Sequence, residues 1–173
     1  MAQWLVKEEP DHYGYEQLEK DGKTVWAGVR NPLAQKHLRA IRRGDRIFYY
    51  HTGKEKAVVA IAKAASHAYA DPGDGSGKLS VVDVVPDKRL KRPVTLAEIK
   101  ADKSFASFPL VRMSRLSVMP VTDEEWARIE AVTPDDVSRV ARTYLVPERR
   151  VTLSTVPVGR EGALPGAQPV VLP

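Results

Sequence analysis

The segment from Thr24 to Asn31 places an aromatic ring, a cation and a side-chain amide close together in the chain. Trp26 offers a flat face for stacking, Arg30 a positive charge, and Asn31 an amide that both donates and accepts hydrogen bonds. These groups suit recognition of a flat polar ligand. The alternative is that Trp26 fills the core, as isolated loop tryptophans commonly do, but the neighbouring Gly28, Arg30 and Asn31 favour ligand binding.

Two strand ends carry further candidate groups. Lys7, Glu8 and Glu9 leave the first predicted strand together. They could act as an acid–base pair or hydrogen-bond to a base, although their spacing alone favours an ordinary solvated strand end. The segment Tyr49–Thr52 ends another predicted strand with aromatic and polar side chains, and one alternate set of these can face a binding site.

A third candidate segment, from Val111 to Ser117, interleaves two arginines with two serines. Guanidinium groups bind phosphates and hydroxyls bond to base edges, so this composition suits nucleic-acid contacts, although an ordinary basic loop has it too. The histidines at positions 12, 37, 51 and 67 lack the short spacing of metal sites, and the glycines at 73, 75 and 77 lack the lysine and helix of a phosphate loop. We expect neither a metal site nor a cofactor.

The composition narrows the class of protein. The chain has 173 residues, 43% of them apolar, which is enough for one substantial core and an appendage. Its 27 Lys and Arg against 22 Asp and Glu give a net charge of +5, which favours an anionic partner such as nucleic acid without requiring one. The absence of cysteine excludes disulfides, thiolate zinc sites and cysteine nucleophiles. No secretory signal and no membrane span are recognisable, so a cytoplasmic protein is expected.

Periodicity predicts the elements that position these side chains. Strands are predicted at Gln3–Val6, Ile47–Tyr50, Ala57–Ala65 and Leu79–Val85, the last ended by Pro86. Helices are predicted at Tyr13–Lys20, at Pro32–Ile41 with Asn31 as its cap, at Thr95–Ala101, and from Thr122 onward, the last two beginning with capping boxes. Together they predict an α+β fold with a curved, mostly antiparallel, barrel-like sheet and helices packed on it.

The character of the chain changes near residue 132. Residues 133–157 suggest an appended helix and strand, and residues 158–173, rich in glycine and proline, suggest a disordered tail. The predicted compact domain therefore spans residues 1–132.

Five motifs occur in the order seen in EVE-domain proteins, the family to which the thymocyte nuclear proteins belong. They are Trp4–Pro10, Val25–Asn31, Phe48–His51, Val82–Val84 and Ser114–Pro120, and the resemblance covers about residues 2–131. It implies a PUA-like fold related to the YTH domains, which bind N6-methyladenosine. It also implies a pocket that accepts a flipped, modified base: a modified cytosine in DNA or a modified base in RNA.

The resemblance also assigns roles to particular residues. Trp26 would stack on the base, and the residues lining or flanking the pocket would be Lys7, Glu8, Asn31, Tyr50, His51, Arg112 and Ser114. Arg30 and Arg115 would pair with the backbone or with other protein groups. The chain departs from the common family pattern at Glu8, Ala27, Pro32 and Ala60, where serine, aspartate, tyrosine and glycine are frequent. The carboxylate of Glu8 would alter which base edge can be read.

These features predict a non-enzymatic, nucleic-acid-binding reader of a modified base. The alternative is a small hydrolase acting on a modified nucleoside or RNA, since PUA-like relatives of the ASCH type use a lysine, a glutamate and a hydroxyl, here Lys7, Glu9 and Thr52. A third hypothesis is an interaction module whose extension binds a protein partner. Residues 132–150 resemble the end of insulinase-type zinc peptidases, but no peptidase metal motif accompanies them.

Overall fold

A computed structural model describes residues 1–131 of the chain. The strands are β1 (Gln3–Glu8), β2 (Thr24–Trp26), β3 (Arg46–His51), β4 (Ala57–Ala64), β5 (Tyr69–Ala70), β6 (Ser80–Thr95) and β7 (Val118–Pro120). The helices are α1 (Pro10–Tyr13), α2 (Tyr15–Asp21), α3 (Pro32–Ala40), α4 (Leu96–Ala101), α5 (Pro109–Arg112) and α6 (Asp123–Glu130), with a 3₁₀ turn at Lys103–Phe105. The predicted extension at 133–157, the predicted tail at 158–173 and the peptidase-like segment at 132–150 lie outside the described residues.

The strands form one curled sheet. Its order is β2-β6-β4-β3-β1-β7, with β5 paired to β6, and every pairing is antiparallel except that of β1 with β3. Two strands separate β2 from β3 in this order, yet the rings of Trp26 on β2 and Tyr49 on β3 have centroids 5.3 Å apart. The sheet therefore curls into a half-barrel, which confirms the predicted α+β fold with a curved, mostly antiparallel sheet.

Helices cover the sheet through apolar side chains. Ala34 and Leu38 of α3 are fully buried, and Trp126 of α6 stacks on Phe48 of β3 with ring centroids 3.7 Å apart. Burial of such side chains contributes roughly 1.5–3 kcal/mol each, which makes this interior the main source of stability. Within residues 1–131, no helix combines the length and the apolar character needed to cross a membrane.

The predicted helix caps are present. Asn31 Oδ1 accepts hydrogen bonds from the backbone N–H groups of Leu33 and Ala34, at 2.9 and 3.0 Å, and Pro32 occupies the first turn of α3. Capping boxes begin two later helices, formed by Thr95 with Glu98 and by Thr122 with Glu125. Local side-chain patterns therefore located these helix starts correctly.

Two predicted boundaries are wrong. Pro86 does not end its strand, because β6 continues to Thr95 and a register shift against β4 between Ile61 and Ala62 accommodates the proline beside Ala62. A proline is tolerated at such an irregularity, where its missing N–H costs no regular ladder bond. The predicted helix Tyr13–Lys20 is observed as α2 and begins two residues later, because the extended backbone of Gly14 separates Tyr13, the last residue of α1, from Tyr15.

An ionic cluster joins α6 to the sheet. The carboxylate of Glu130 accepts hydrogen bonds from Lys88 Nζ at 2.8 Å, from Trp126 Nε1 at 2.9 Å and from Arg46 Nη2 at 3.0 Å. These three donors, Lys88 foremost, lower the pKa of Glu130 to about 2. The guanidinium of Arg46 also lies 4.4 Å from the centroid of the Trp126 ring. The carboxylate thus favours the folded state while it is ionised.

Acid is expected to weaken the protein through Glu130. Its folded pKa is below the ordinary value of 4.5, so its stabilising effect is complete above about pH 4.5 and is lost as the pH falls toward 2. The variant Glu130→Gln should therefore be less stable near pH 6 and should lose less stability between pH 5 and pH 2.5. Chemical unfolding across that range measures this. Glu124→Gln, on the exposed side of α6, serves as the control, and equal pH dependence in all three proteins would contradict the assignment.

Candidate functional site

Four of the predicted site residues, Lys7, Glu8, Tyr50 and His51, lie where β1 and β3 end. These strands run parallel, so their carboxyl ends coincide, with Lys7 beside Tyr50 and Glu8 beside His51. Because side chains alternate along a strand, Lys7 and Tyr50 share one face of the sheet while Glu8 and His51 share the other. The site therefore has two sides.

On the first side, Lys7 is joined to the loop that follows α5. Its Nζ donates to the carbonyl oxygen of Ser114 at 3.0 Å and lies 5.8 Å from the centroid of the Tyr50 ring, and its backbone N–H donates to the Ser117 carbonyl. Burial lowers the pKa of Lys7. Arg112, at the end of α5, and Ser114, in this loop, are exposed, whereas Tyr50 is buried. The structure thus joins Lys7 to Tyr50 and to the backbone of Ser114, whereas the Arg112 side chain forms no hydrogen bond or ion pair within residues 1–131.

On the second side, His51 is held by the protein through both ring nitrogens. Its Nε2 accepts from the backbone N–H of Tyr15 at 3.1 Å, which indicates that Nδ1 carries the proton and donates to Glu55 at 2.8 Å. Glu8 Oε1 accepts from the N–H of Glu9 at 2.9 Å and lies 3.1 Å from Nδ1 of His12. His51 therefore positions α2 and the turn after β3, and Glu8 keeps one carboxylate oxygen available to a ligand.

Trp26 reaches the same region from β2. Only 5% of its surface is exposed, and its ring packs edge-on against Tyr49 at an interplanar angle of 90°. The Tyr49 hydroxyl donates to the Tyr13 carbonyl at 2.7 Å, and burial raises the pKa of Tyr49. Most of the Trp26 side chain therefore packs in the core, as the alternative interpretation predicts.

The indole N–H of Trp26 nevertheless differs from those of the other two tryptophans. Trp4 donates to Asp45 and Trp126 donates to Glu130, whereas Trp26 has no acceptor within residues 1–131. Among residues 1–131, the one side-chain polar atom that is fully buried and has no partner is Gln3 Oε1. The partnerless N–H of Trp26 is therefore not fully buried. Tryptophan N–H groups normally find an acceptor when buried. This one is free to donate to a ligand.

The turn between Trp26 and α3 exposes two further predicted residues. Gly28 has φ +76°, a left-handed conformation that glycine adopts without strain, and the chain turns there toward α3. Asn31 uses its side-chain oxygen to cap α3, which leaves its NH₂ group for a ligand. Arg30 is exposed, and like Arg115 it forms no hydrogen bond or ion pair with residues of the described range.

A cavity of about 470 Å³ adjoins the second side of the site. It lies between the first two helices, the β3–β4 turn and β6, and its lining includes Pro10, Gly14, Lys20, His51, Glu55 and Arg89. His51 is the predicted pocket residue that borders it. Sequence reasoning missed Tyr13, Tyr15 and Glu55, because only the folded chain places them against Tyr49 and His51.

The groups considered for hydrolysis are not joined in the structure. Lys7 Nζ donates to the Ser114 carbonyl. The Glu9 carboxylate instead lies beside Gly53, where its Oε1 would be 3.9 Å from a Cβ added to that glycine. The Thr52 backbone N–H donates to the Glu8 carbonyl at 2.8 Å. Among residues 1–131, no group of three His, Asp or Glu side chains is arranged to hold a metal ion.

Comparison with known proteins agrees with this architecture. The model of the EVE domain family matches residues 2–132. Human thymocyte nuclear protein 1 is 32% identical over 160 residues, which cover 72% of this chain and 71% of that protein. A solution structure of a protein from Rhodopseudomonas palustris is 48% identical, with a TM-score of 0.72, and the match covers 75% of this chain and 91% of that one.

A crystal structure of the human THYN1 protein in complex with 5-methylcytosine containing DNA is also similar. It is 29% identical to this chain, with a TM-score of 0.68, and the match covers 78% of this chain and 100% of that one. The predicted PUA-like architecture is confirmed by these structural relatives. By family model, sequence identity and structure together, the chain belongs to the EVE domain family.

Proposed function

We propose that this chain is a non-enzymatic module that binds nucleic acid and recognises a modified base, either a modified cytosine in DNA or a modified base in RNA. The observation that carries this proposal is the similarity to human THYN1, whose crystal structure contains 5-methylcytosine DNA and matches 78% of this chain. Membership of the same family supports a shared binding mode. The fold alone would not suffice, so the residues of the site must supply the recognition.

The proposed base site lies at the ends of β1 and β3, next to Trp26. Trp26 supplies an aromatic surface and a free N–H donor at one edge of the site. Asn31 supplies its NH₂ group and Glu8 a carboxylate oxygen, so both donors and an acceptor are available to read a base edge. The remaining proposed lining or flanking residues are Lys7, Tyr50, His51, Arg112 and Ser114, with Tyr50 and His51 acting from the buried layer.

Unpaired positive charges surround this proposed site. Arg30, Arg112 and Arg115 are exposed and form no ion pair with any residue in the range 1–131, and Lys7 contacts a neutral carbonyl rather than a carboxylate. Phosphate contacts of this kind hold a strand in position without reading its sequence. The surface therefore favours an anionic polymer over a neutral small molecule.

A binding titration tests the proposal. Short DNA and RNA oligonucleotides that differ only in one cytosine or 5-methylcytosine, and in one adenine or N6-methyladenine, are titrated at fixed salt concentration. We expect tighter binding to at least one modified partner. Equal affinity for every modified and unmodified pair would contradict the proposed function, and turnover of a modified nucleoside by the purified protein would favour the hydrolase.

Lys7 is expected to contribute to affinity without contributing to base discrimination. In Lys7→Met an unbranched side chain is kept while the charge near the Tyr50 ring is lost, so binding should weaken equally for modified and unmodified strands. The slope of log affinity against log salt should fall by about one, as expected for one lost phosphate contact. Lys100→Met, on the exposed surface of α4, is the matched control. An unchanged salt slope in Lys7→Met would show that Lys7 makes no such contact.

A further inference from the structure

Met113 is a large apolar side chain that the fold leaves in solvent, with 43% of its surface exposed. Its neighbours Arg112, Ser114 and Arg115 are exposed as well. A scattered exposed apolar residue requires no explanation by itself. Met113 is distinguished by its setting, since Arg112 and Arg115 flank it in the sequence and the carbonyl of the next residue, Ser114, accepts from Lys7 Nζ at the proposed base site.

The backbone of this loop is fixed at both ends. The Met113 N–H donates to the Pro109 carbonyl at 2.8 Å, and the Met113 carbonyl accepts from the Leu116 N–H at 3.0 Å. Leu110 and Leu116 are buried on either side of it, 2% and 3% exposed. Lys7 Nζ holds the Ser114 carbonyl. The Met113 side chain is thus presented from a rigid base beside the end of β1.

The charged residues near Met113 in the sequence are all basic. The side chains of Arg112 and Arg115 form no hydrogen bond or ion pair with other residues of the described part of the chain. The sequence contains no acidic residue between Asp102 and Asp123. An apolar tip between two unneutralised arginines is complementary to a base stack bordered by phosphates.

We propose that the loop Arg112–Arg115 inserts Met113 into a nucleic-acid duplex at the position that the modified base leaves. This inference rests on the proposed function, because a gap in the stack arises only when a base is flipped out. The flexible, unbranched methionine fills the gap and contacts the flanking base pairs, while Arg112 and Arg115 bind phosphates on the two sides of it. The favoured partner is therefore a duplex rather than a single strand.

The variant Met113→Ala tests this insertion. Affinity is measured for one 5-methylcytosine oligonucleotide as a single strand and as a duplex, and unstacking is followed by the fluorescence of 2-aminopurine placed next to the modified base. We expect Met113→Ala to lose roughly 10-fold in duplex affinity, the equivalent of a partly buried methionine side chain, and to keep its single-strand affinity. Met113→Leu should restore most of the duplex affinity. Val25→Ala, at a similarly exposed apolar position on β2, should change neither the duplex affinity nor the single-strand affinity.

The outcomes separate this inference from the proposed function. Unchanged duplex affinity and unchanged fluorescence in Met113→Ala would overturn the insertion. An equal loss for single strand and duplex would also overturn it, because Met113 would then contact the strand without entering a stack. If the unaltered protein bound modified and unmodified oligonucleotides alike, the proposed function itself would fail, and the insertion of Met113 would fail with it.

Discussion

Replacing Trp26 by leucine is expected to remove most of the preference for a modified base while the protein remains folded. Stacking of a base on an aromatic side chain contributes about 1–3 kcal/mol, so affinity for the modified oligonucleotide should fall by roughly 5- to 150-fold. The indole N–H, which has no acceptor in the described part of the chain, is lost in the same variant. Affinity for the unmodified oligonucleotide should change much less.

The burial of Trp26 makes a stability control essential. Truncating a buried tryptophan to alanine costs about 3–5 kcal/mol, a large share of the stability of a small domain, and leucine leaves a smaller cavity. Trp126→Leu is the matched control, because Trp126 is similarly buried, 2% against 5% exposed, and stacks from α6 on Phe48 of β3 rather than on Tyr49. Trp126 also loses its hydrogen bond to Glu130, so this control should be at least as destabilised.

The comparison of the two tryptophan variants decides the role of Trp26. Unfolding by urea gives their stabilities, and titration at a temperature where both are folded gives their affinities. Loss of discrimination in Trp26→Leu but not in Trp126→Leu supports the proposed stacking. If Trp26→Leu kept the same preference for the modified base as Trp126→Leu, Trp26 would only fill the core.

Helix starts were the part of this fold most accessible from sequence. Asn31 with Pro32, and the threonine–glutamate pairs at 95 and 98 and at 122 and 125, act through contacts within four residues, and each forms as predicted. The end of β6 could not be predicted in the same way. Whether Pro86 stops a strand depends on the register of β4 beside it, a long-range pairing that local preference does not encode.

Four candidate residues could be placed at predicted strand ends from the sequence, but the burial of the candidate side chains could not be predicted. The resemblance assigned Lys7, Glu8, Tyr50 and His51 to one pocket, and the parallel register of β1 and β3 puts these four residues side by side. The burial of Trp26 follows from the curl of the sheet, which packs β2 against β3 across its interior. The engagement of His51 by Tyr15 and Glu55 likewise requires the folded positions of α2 and the β3–β4 turn.

Asp45 is expected to be a main structural support of the strand that carries Lys7 and Glu8. Its carboxylate is buried, 4% exposed, and accepts from the Ala2 N–H at 2.9 Å, from Trp4 Nε1 at 3.0 Å and from the Arg42 N–H at 2.9 Å. These bonds attach the start of β1 to the segment between α3 and β3. Asp45→Ala leaves three donors without their acceptor and should lower the free energy of unfolding by about 3 kcal/mol or more.

Asp87→Ala provides the matched control for Asp45. Asp87 accepts from Lys63 Nζ at 2.8 Å on the surface, and a surface ion pair contributes only about 0–1 kcal/mol. Because Asp45 lies at the opposite end of β1 from Lys7, the folded fraction of Asp45→Ala should still discriminate the modified base. Equal stability of the two variants would contradict the structural role of Asp45. Lost discrimination in fully folded Asp45→Ala would instead show that the position of β1, and not its terminal side chains alone, sets the geometry of the base site.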